Sequence, residues 1–341
     1  MDSSSIKSIL LLDTNIASKG IYDYLNSLGY VIYVIGNNPS DYLAKICPNY
    51  IEANYSDVEL IRDLVEDIKC QYIIPGCNDK SYSIASILSD IKSNRTVIEK
   101  PEIDQLLNNK SNFKEYCKKN NIPTSKRLTQ ISLSDLGSIN DVIIKPVDSF
   151  SGKGVSKILK QNLNSQSLKL AIEKAEKNSS NSKFIIEEFI EGQLYSHSCF
   201  INSKQEIIKD FIVEEHCIDN EFAVDHSFVI TKPKQEILQI RNYIRRLARD
   251  LNLKEGLIHT QFILSKNENI PFVIEITRRC PGDMYYKLIE ESTGFSYSAM
   301  YVNGFIENNN CFKRKGSQNV NELVIRKTMK INSFRTFDHL K

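Results

Sequence analysis

The 341-residue chain carries 44 Lys and Arg against 42 Asp and Glu, a formal net charge of +2, so no global field draws it to nucleic acid or to an acidic membrane. Its composition, 41% hydrophobic and 25% charged, is that of a folded protein with enough chain for two or three compact units, and it excludes a chain dominated by disorder. Eight cysteines are scattered without a CxxC pair or zinc-type spacing, and they read as reduced thiols of a cytoplasmic protein.

The first apolar run, Ile9 to Leu12, is too short for the core of a signal peptide, and no stretch approaches the ~20 apolar residues of a membrane span. From there to about residue 95, continuous apolar runs ("SILLLD", "YVIYVIG", "QYIIPGCND") alternate with amphipathic segments ("IYDYLNSLG", "DVELIRDLVEDIK"). That alternation predicts a parallel sheet with crossover helices, a Rossmann-like α/β opening. Where a dinucleotide site needs G-x-G-x-x-G, the chain reads Asp13-Thr14-Asn15-Ile16-Ala17-Ser18, which argues against NAD. These residues, with Asn78 and Asp79 in "PGCNDK", read first as loop caps.

A lysine-bearing helix, "NNKSNFKEYCKKNNIPT", follows, and the pattern then changes to strands at hairpin spacing. "DVIIKP", "GVSKIL", "KFIIEEFI", "LYSHSCFI" and "EIIKDFIVEE" predict an antiparallel sheet, with the helix "SQSLKLAIEKAEK" inserted after the second. A helix over residues 236–251 leads to two more strands, "GLIHTQFIL" and "PFVIEIT", and "ELVIRKTMKI" reads as a terminal strand. Strands with a few packed helices make this part α+β.

Chemistry concentrates in "DVIIKPVDSFSGKGV". Lys145, at a strand end before Pro146, delivers a fixed positive charge. The loop residues Ser149, Ser151, Gly152 and Gly154 offer backbone N–H groups to phosphate oxygens, and glycine permits the close approach. The loop is not a Walker A sequence. Glu275 and Thr277 alternate at period two, so both project from one face of their strand, and Gln261 opposes them from the preceding one. His259 shares the face of Gln261. The stretch 213–228 reads as substrate-facing or as a plain polar strand pair.

Taken in order over residues 105–285, these segments resemble the ATP-grasp superfamily, specifically its carboxylate-amine ligases, with a pre-ATP-grasp Rossmann-like domain in front. The resemblance implies domains at 1–95 (Rossmann-like), 96–190 (smaller ATP-grasp subdomain with the phosphate loop), 191–310 (larger subdomain with the metal and catalytic strands) and a C-terminal extension at 311–341. It implies that Lys110 and Lys145 contact phosphates and that "DSFSGKGV", with Lys153, folds over the β- and γ-phosphates. "IIEEFIEG" resembles the hinge that reads adenine, assigning Glu187, Glu188, Phe189 and Ile190 to the base pocket. Leu194 stands where many members carry a ribose-binding glutamate, and Glu191 is the candidate replacement.

"HTQFIL" and "PFVIEITRRCPGD" are similar to the metal-binding strand pair, implying Mg²⁺ at Gln261, Glu275 and Thr277, with Arg279 stabilising the acyl phosphate. Gln261 stands where an acid is common and Thr277 where asparagine is common. The implied cofactors are ATP and Mg²⁺, and the implied partners a small-molecule carboxylate and an amine, with no nucleic acid or membrane. A homodimer stays open. So do two rival activities: an ATP-binding module without catalysis, favoured by Gln261, Thr277 and Leu194, and a bicarbonate-using carboxylase of the same superfamily.

Overall fold

A computed structural model of the chain describes residues 7–92, 94–128, 139–147, 152–219, 221–306 and 323–328. The N-terminal part runs β1 (Ser8–Leu12), α1 (Lys19–Ser27), β2 (Val31–Gly36), α2 (Tyr42–Ile46), β3 (Tyr50–Glu52), α3 (Val58–Asp67), β4 (Tyr72–Pro75) and α4 (Asp79–Ile87). The strands are parallel in the order β3-β2-β1-β4, the expected Rossmann-like arrangement. β1 and β4 are buried along their whole lengths, as strands covered on both faces must be.

The loops at the carboxyl ends of these strands are capped. Asp13 accepts from the Ser18 hydroxyl (2.6 Å) and the Cys77 N–H (3.1 Å), and Asn15 accepts from the Ala17 N–H. Gly76 is required here, because a Cβ would stand 2.2 Å from that of Asp13. Two helices then lead out of this unit, α5 (Pro101–Asn108), with Pro at its start and Glu102 and Asp104 in its first turn, and α6 (Lys110–Lys119). Asn109 caps α6 by accepting from the N–H groups of Ser111 and Asn112, which fixes Lys110 as the first helical residue.

The remaining strands form two antiparallel sheets where the sequence pattern suggests one. A small sheet, β6-β5-β7, contains β5 (Val142–Pro146), β6 (Ser156–Ile158) and β7 (Phe184–Glu188), with α7 (Ser165–Lys177) on one face. Val142, Ile144 and Ile186 bury that face against Ala171 and Ala175. By the strand period, Ile143, Lys145 and Glu187 point the other way. Hairpin spacing alone does not reveal where one sheet stops, and the break falls at the turn between β7 and the next strand.

The larger sheet is built from β8 (Gly192–Ile201), β9 (Ile207–His216), β10 (His226–Ile230), α8 (Gln235–Leu238), α9 (Ile240–Asp250), β11 (Gly256–Ser265), β12 (Pro271–Thr277), α10 (Tyr285–Thr293), α11 (Tyr297–Asn303) and β13 (Ile325–Lys327). Its order is β12-β11-β8-β9-β10-β13. The helix expected over 236–251 is present as the short α8 running into α9, and the terminal strand is present as β13.

One face of the larger sheet packs on α6 and α9 through Phe113, Cys117, Ile240, Ile244 and Leu247. The other face carries Phe200, Phe211 and Val213 into a core shared with Tyr285, Tyr297, Tyr301 and the N-terminal sheet. Gly20 of α1 meets Tyr286 and Ser298 so closely that a Cβ would overlap both, so the N-terminal unit is seated directly on α10 and α11. No helix of the described residues is long and apolar enough to cross a membrane.

Candidate active site

Three lysines converge on one glutamate. Glu187, 1% exposed, pairs through Oε1 with Lys114 Nζ at 2.7 Å and through Oε2 with Lys145 Nζ at 2.8 Å. Ser125 closes the group, accepting from Lys114 Nζ (2.6 Å) and donating to Glu187 Oε2 (2.9 Å). Lys110, on the same face of α6 one turn before Lys114, lies in the field of Lys145 and Glu187 and also of Glu275 and Asp79. Burial pulls both helix lysines below the ordinary lysine range, Lys114 to about 8. Burial alone would raise the Glu187 carboxyl, but the two lysines outweigh it and bring it to about 2. Around Glu187 itself, the buried Lys114 and the half-buried Lys145 and Lys110 outnumber the one carboxylate, and a polyanion in the cleft compensates the local excess of positive charge.

The sequence expectation put Glu187 in a base pocket, whereas the structure turns its carboxylate to Lys114 and Lys145. Lys114 is a site residue the motifs did not single out. The signal was there, since four residues separate it from Lys110, but helix "NNKSNFKEYCKKNNIPT" holds four lysines and the spacing does not say which face is buried.

Beyond Glu187 the hinge crosses to the larger sheet. The Glu188 and Phe189 N–H groups bond Lys126 O (2.9 Å) and Asp141 O (2.8 Å), and among the described residues no such partner is found for the Ile190 N–H. Glu188 accepts from Asn140, Phe189 lies 3.8 Å beneath Lys157 Nζ, and Glu191, exposed, pairs with Lys266 (2.9 Å). Residues 188–191 line a cavity of about 390 Å³ with Thr124, Lys126 and Phe272, and none of Lys110, Lys145 and Glu275 lines it.

Of the phosphate loop, Ser149 and Ser151 lie outside the described residues. Gly152 and Gly154 have φ of +70° and +76°, where glycine is favoured, and they bracket the exposed Lys153 in a turn closed by Val155 N–H to Gly152 O (3.2 Å). A Cβ on Gly152 would stand 2.6 Å from the Phe222 carbonyl oxygen, so this loop, carried by the small sheet, touches the β9–β10 connection of the large one.

Across the cleft, one face of the larger sheet carries a row of polar side chains. Gln261 pairs in register with Glu275 and His259 with Thr277, as the period-two reading expects. The carboxylate of Glu275 is exposed. Gln261 Nε2 donates to the buried Glu215 Oε2 at 2.7 Å, so its amide oxygen is the end left for a cation. Burial raises the Glu215 carboxyl, against hydrogen bonds from Ser196 and Gln261. Glu215 belongs to the stretch 213–228 that the sequence left open. Nothing in the alternation marks it, because its neighbour Glu214 is also acidic and points to the opposite face.

Glu275, the Gln261 amide oxygen and the nearby Glu215 are all oxygen donors, a set that fits a hard cation such as Mg²⁺ held mainly by a polyphosphate. Thr277 turns its hydroxyl to Asp79 Oδ1 (3.2 Å). Among the described residues, no group of three or more His, Cys, Asp or Glu side chains forms a metal site by itself.

Arg279 is held from the N-terminal unit. Its Nε donates to Asp79 Oδ1 at 2.7 Å and its Nη2 to Asp79 Oδ2 at 3.1 Å, a bidentate grip. Burial would raise the Asp79 carboxyl, but Arg279 and Thr277 outweigh it and hold it low. Asn78 is a cap, accepting from Ser81 N–H, whereas Asp79 departs from the loop-cap expectation. The neighbouring Arg278 is structural: 3% exposed, it pairs with Glu99 (3.3 Å) and donates to the Lys254 carbonyl (2.7 Å).

His259 is buried against Ser198 (Nδ1 to Oγ, 2.8 Å), and burial with Arg279, His197 and Arg326 pushes it down to about 3, so it is neutral at physiological pH. His197 lies on the far side, paired with Asp210 (3.0 Å), and His216 and His226 pair with Glu214 and Asp225.

Residues 139–286 match the family model of the ATP-grasp domain. No curated protein matches the chain by sequence. Among solved structures, phosphoribosylglycinamide synthetase from Anaerococcus prevotii shares the fold at TM-score 0.73 and 18% identity, over 96% of this chain and 82% of that one. L-amino acid ligase from Bacillus licheniformis aligns at TM-score 0.71 and 15% identity over 88% and 75% of the two chains. Biotin carboxylase from Campylobacter jejuni, in a β-γ-ATP complex, aligns at TM-score 0.70 and 15% identity over 89% and 72%. The chain thus carries a segment, residues 139–286, that matches the ATP-grasp domain.

Proposed function

We propose that the protein is an ATP-dependent ligase that activates a substrate carboxylate as an acyl phosphate and joins it to an amine, releasing ADP and phosphate. The observation that carries this reading is the convergence of Lys110, Lys145 and Glu275 at one cleft with the clamped Arg279. A pure nucleotide binder has use for the lysines, but not for an arginine held in place by a carboxylate from another unit. ATP as the nucleotide is supported by the family match and by the biotin carboxylase complex.

In this reading Lys110 and Lys145 hold the phosphates while Glu187 and Lys114 fix the position of Lys145. The hinge at Glu188, Phe189 and Ile190 offers the base the backbone groups not used by the Glu188 and Phe189 N–H bonds, among them the Ile190 N–H, and Glu191 stands beside the ribose. Glu275 and the Gln261 amide oxygen hold Mg²⁺, which when bound neutralises charge on the transferring phosphate. A carboxylate oxygen attacks the γ-phosphorus, and ADP leaves. Arg279 steadies the oxyanion that forms when the amine attacks the acyl carbon, and phosphate departs with the original carboxylate oxygen. The turn at Gly152–Val155, with Lys153, covers the γ-phosphate and keeps water from the acyl phosphate.

The oxygen bookkeeping provides the test. With carboxylates labelled in ¹⁸O, ligation places one label in the released phosphate. Unlabelled phosphate accompanying ADP would show that water or another nucleophile is the acceptor, and the reading would fail.

A further inference from the structure

β13 pairs antiparallel with β10, and the rung Glu215↔Ser227↔Arg326 sets three polar side chains side by side on the face of the sheet that carries Gln261 and His259. Arg326 is 10% exposed in its side chain and donates through Nη1 to the Asp283 carbonyl and carboxylate. Among the described residues its buried Nε and Nη2 have no hydrogen-bond partner, and neither has the hydroxyl of Ser227, which is 0% exposed. Buried donors are almost always satisfied in native proteins, and each one left bare costs on the order of 1–3 kcal/mol. Three such atoms in one row leave donors that a bound group can satisfy.

The shape and charge of the row say which group fits. Nε and Nη2 of one guanidinium form the planar fork that matches a carboxylate in two parallel hydrogen bonds. Glu215 lies two strands away, roughly 10 Å between α-carbons at ordinary strand spacing, and makes no direct contact with Arg326. A lone anion on the fork would face the Glu215 carboxylate unopposed. A ligand carrying an ammonium next to its carboxylate satisfies both ends and leaves no net charge buried. His259, within the field of both Arg279 and Arg326, ties this row to the site described above.

We propose that Arg326 and Ser227 on one side and Glu215 on the other form a substrate subsite for the carboxylate and ammonium of an α-amino acid. This deepens the ligase reading and rests on it for the chemistry that follows, but the binding itself does not need turnover.

The test uses the full chain loaded with Mg²⁺ and a non-hydrolysable ATP analogue, and follows by ligand-observed NMR a mixture of the 20 protein L-amino acids and, separately, acetate with propionate. Expected are line broadening of at least one amino acid, none of the simple carboxylates, and loss of that broadening in Arg326→Met, with at least tenfold weaker binding in Ser227→Ala and Glu215→Gln. Ser227→Ala keeps the outcome informative if Arg326→Met fails to fold. No amino acid broadened by the wild type means that ordered water fills the row, and the proposal falls. It also falls if Arg326→Met and Ser227→Ala bind as the wild type does, or if acetate and propionate bind equally well. Amino-acid binding without ADP formation in any assay would sink the ligase reading and leave this subsite standing.

Discussion

Asp79 and Arg279, two hundred residues apart, meet in a bidentate ion pair whose N–O distances are 2.7 and 3.1 Å, so the N-terminal unit holds the arginine proposed to act on the acyl phosphate. The carboxylate comes from the first residue of α4, at the carboxyl end of a parallel strand, where open α/β sheets present their functional loops. Replacing Asp79 by Asn keeps the shape and removes the charge. The expected result is a kcat lower by about tenfold to a hundredfold with the KM for ATP nearly unchanged, because orientation rather than nucleotide binding is lost. A rise in KM for ATP at constant kcat would place Asp79 elsewhere in the cycle.

The Lys114–Glu187–Lys145 group predicts a different pattern. Lys114→Met removes one of two buried counter-charges of Glu187, and breaking a buried pair costs about 3 kcal/mol. Thermal unfolding should begin markedly lower, and ATP affinity, read by calorimetry, should fall about tenfold because Lys145 shifts toward Glu187. Unchanged affinity would mean that Lys145 does not depend on this support.

A second, partly buried cluster gives the acid limit of stability. Asp210 accepts from His197 (3.0 Å) and from Arg241 (2.6 and 3.0 Å). Burial would raise its carboxyl, but these donors outweigh burial and bring it to about 2. A depressed folded-state pKa contributes stability that is present above the unfolded value of ~3.9 and is lost as pH falls through about 2. Asp210→Asn should therefore be less stable than the wild type by about 2 kcal/mol at pH 7, and the gap should close between about pH 4 and pH 2. Denaturant titrations at a series of pH values check this, and a gap independent of pH would contradict it.

Much of the fold was legible because its period was unambiguous: the buried runs at Ile9–Leu12 and Tyr72–Pro75 read as a parallel sheet, and Lys145, Gln261, Glu275 and Thr277 lie on the strands where alternation put them. What was not legible depends on contacts between distant segments. Asp79 looked like a cap because its sequence neighbours are caps, and its partner lies 200 residues later. Glu187 looked like hinge because "IIEEFIEG" does not say which of two glutamates points inward. Arg326 carried no signal, since nothing in a short terminal strand with adjacent Arg326 and Lys327 says which of the two faces inward until the sheet places Arg326 beside Ser227 and Glu215.

Gln261 offers a test of the cation site. Gln261→Glu sets a second carboxylate against the buried Glu215, where Nε2 now donates at 2.7 Å. Without divalent cations the variant should unfold at lower temperature, by about 2 kcal/mol of repulsion and lost hydrogen bonding. Mg²⁺ with ATP should recover more of that loss than it adds to the wild type. Equal responses to Mg²⁺ in the two proteins would put the cation away from residue 261.

Phosphoryl transfer from ATP to a carboxylate in this cleft is read out by ADP formation from Mg²⁺-ATP with pooled L-amino acids and pooled simple carboxylates, comparing the wild type with Glu275→Gln and Arg279→Ala. A ligase forms ADP that depends on the amino-acid pool and falls at least a hundredfold in both variants while ATP still binds them. ATP bound tightly with no ADP in either pool, or ADP formed equally by wild type and variants, would contradict the ligase reading.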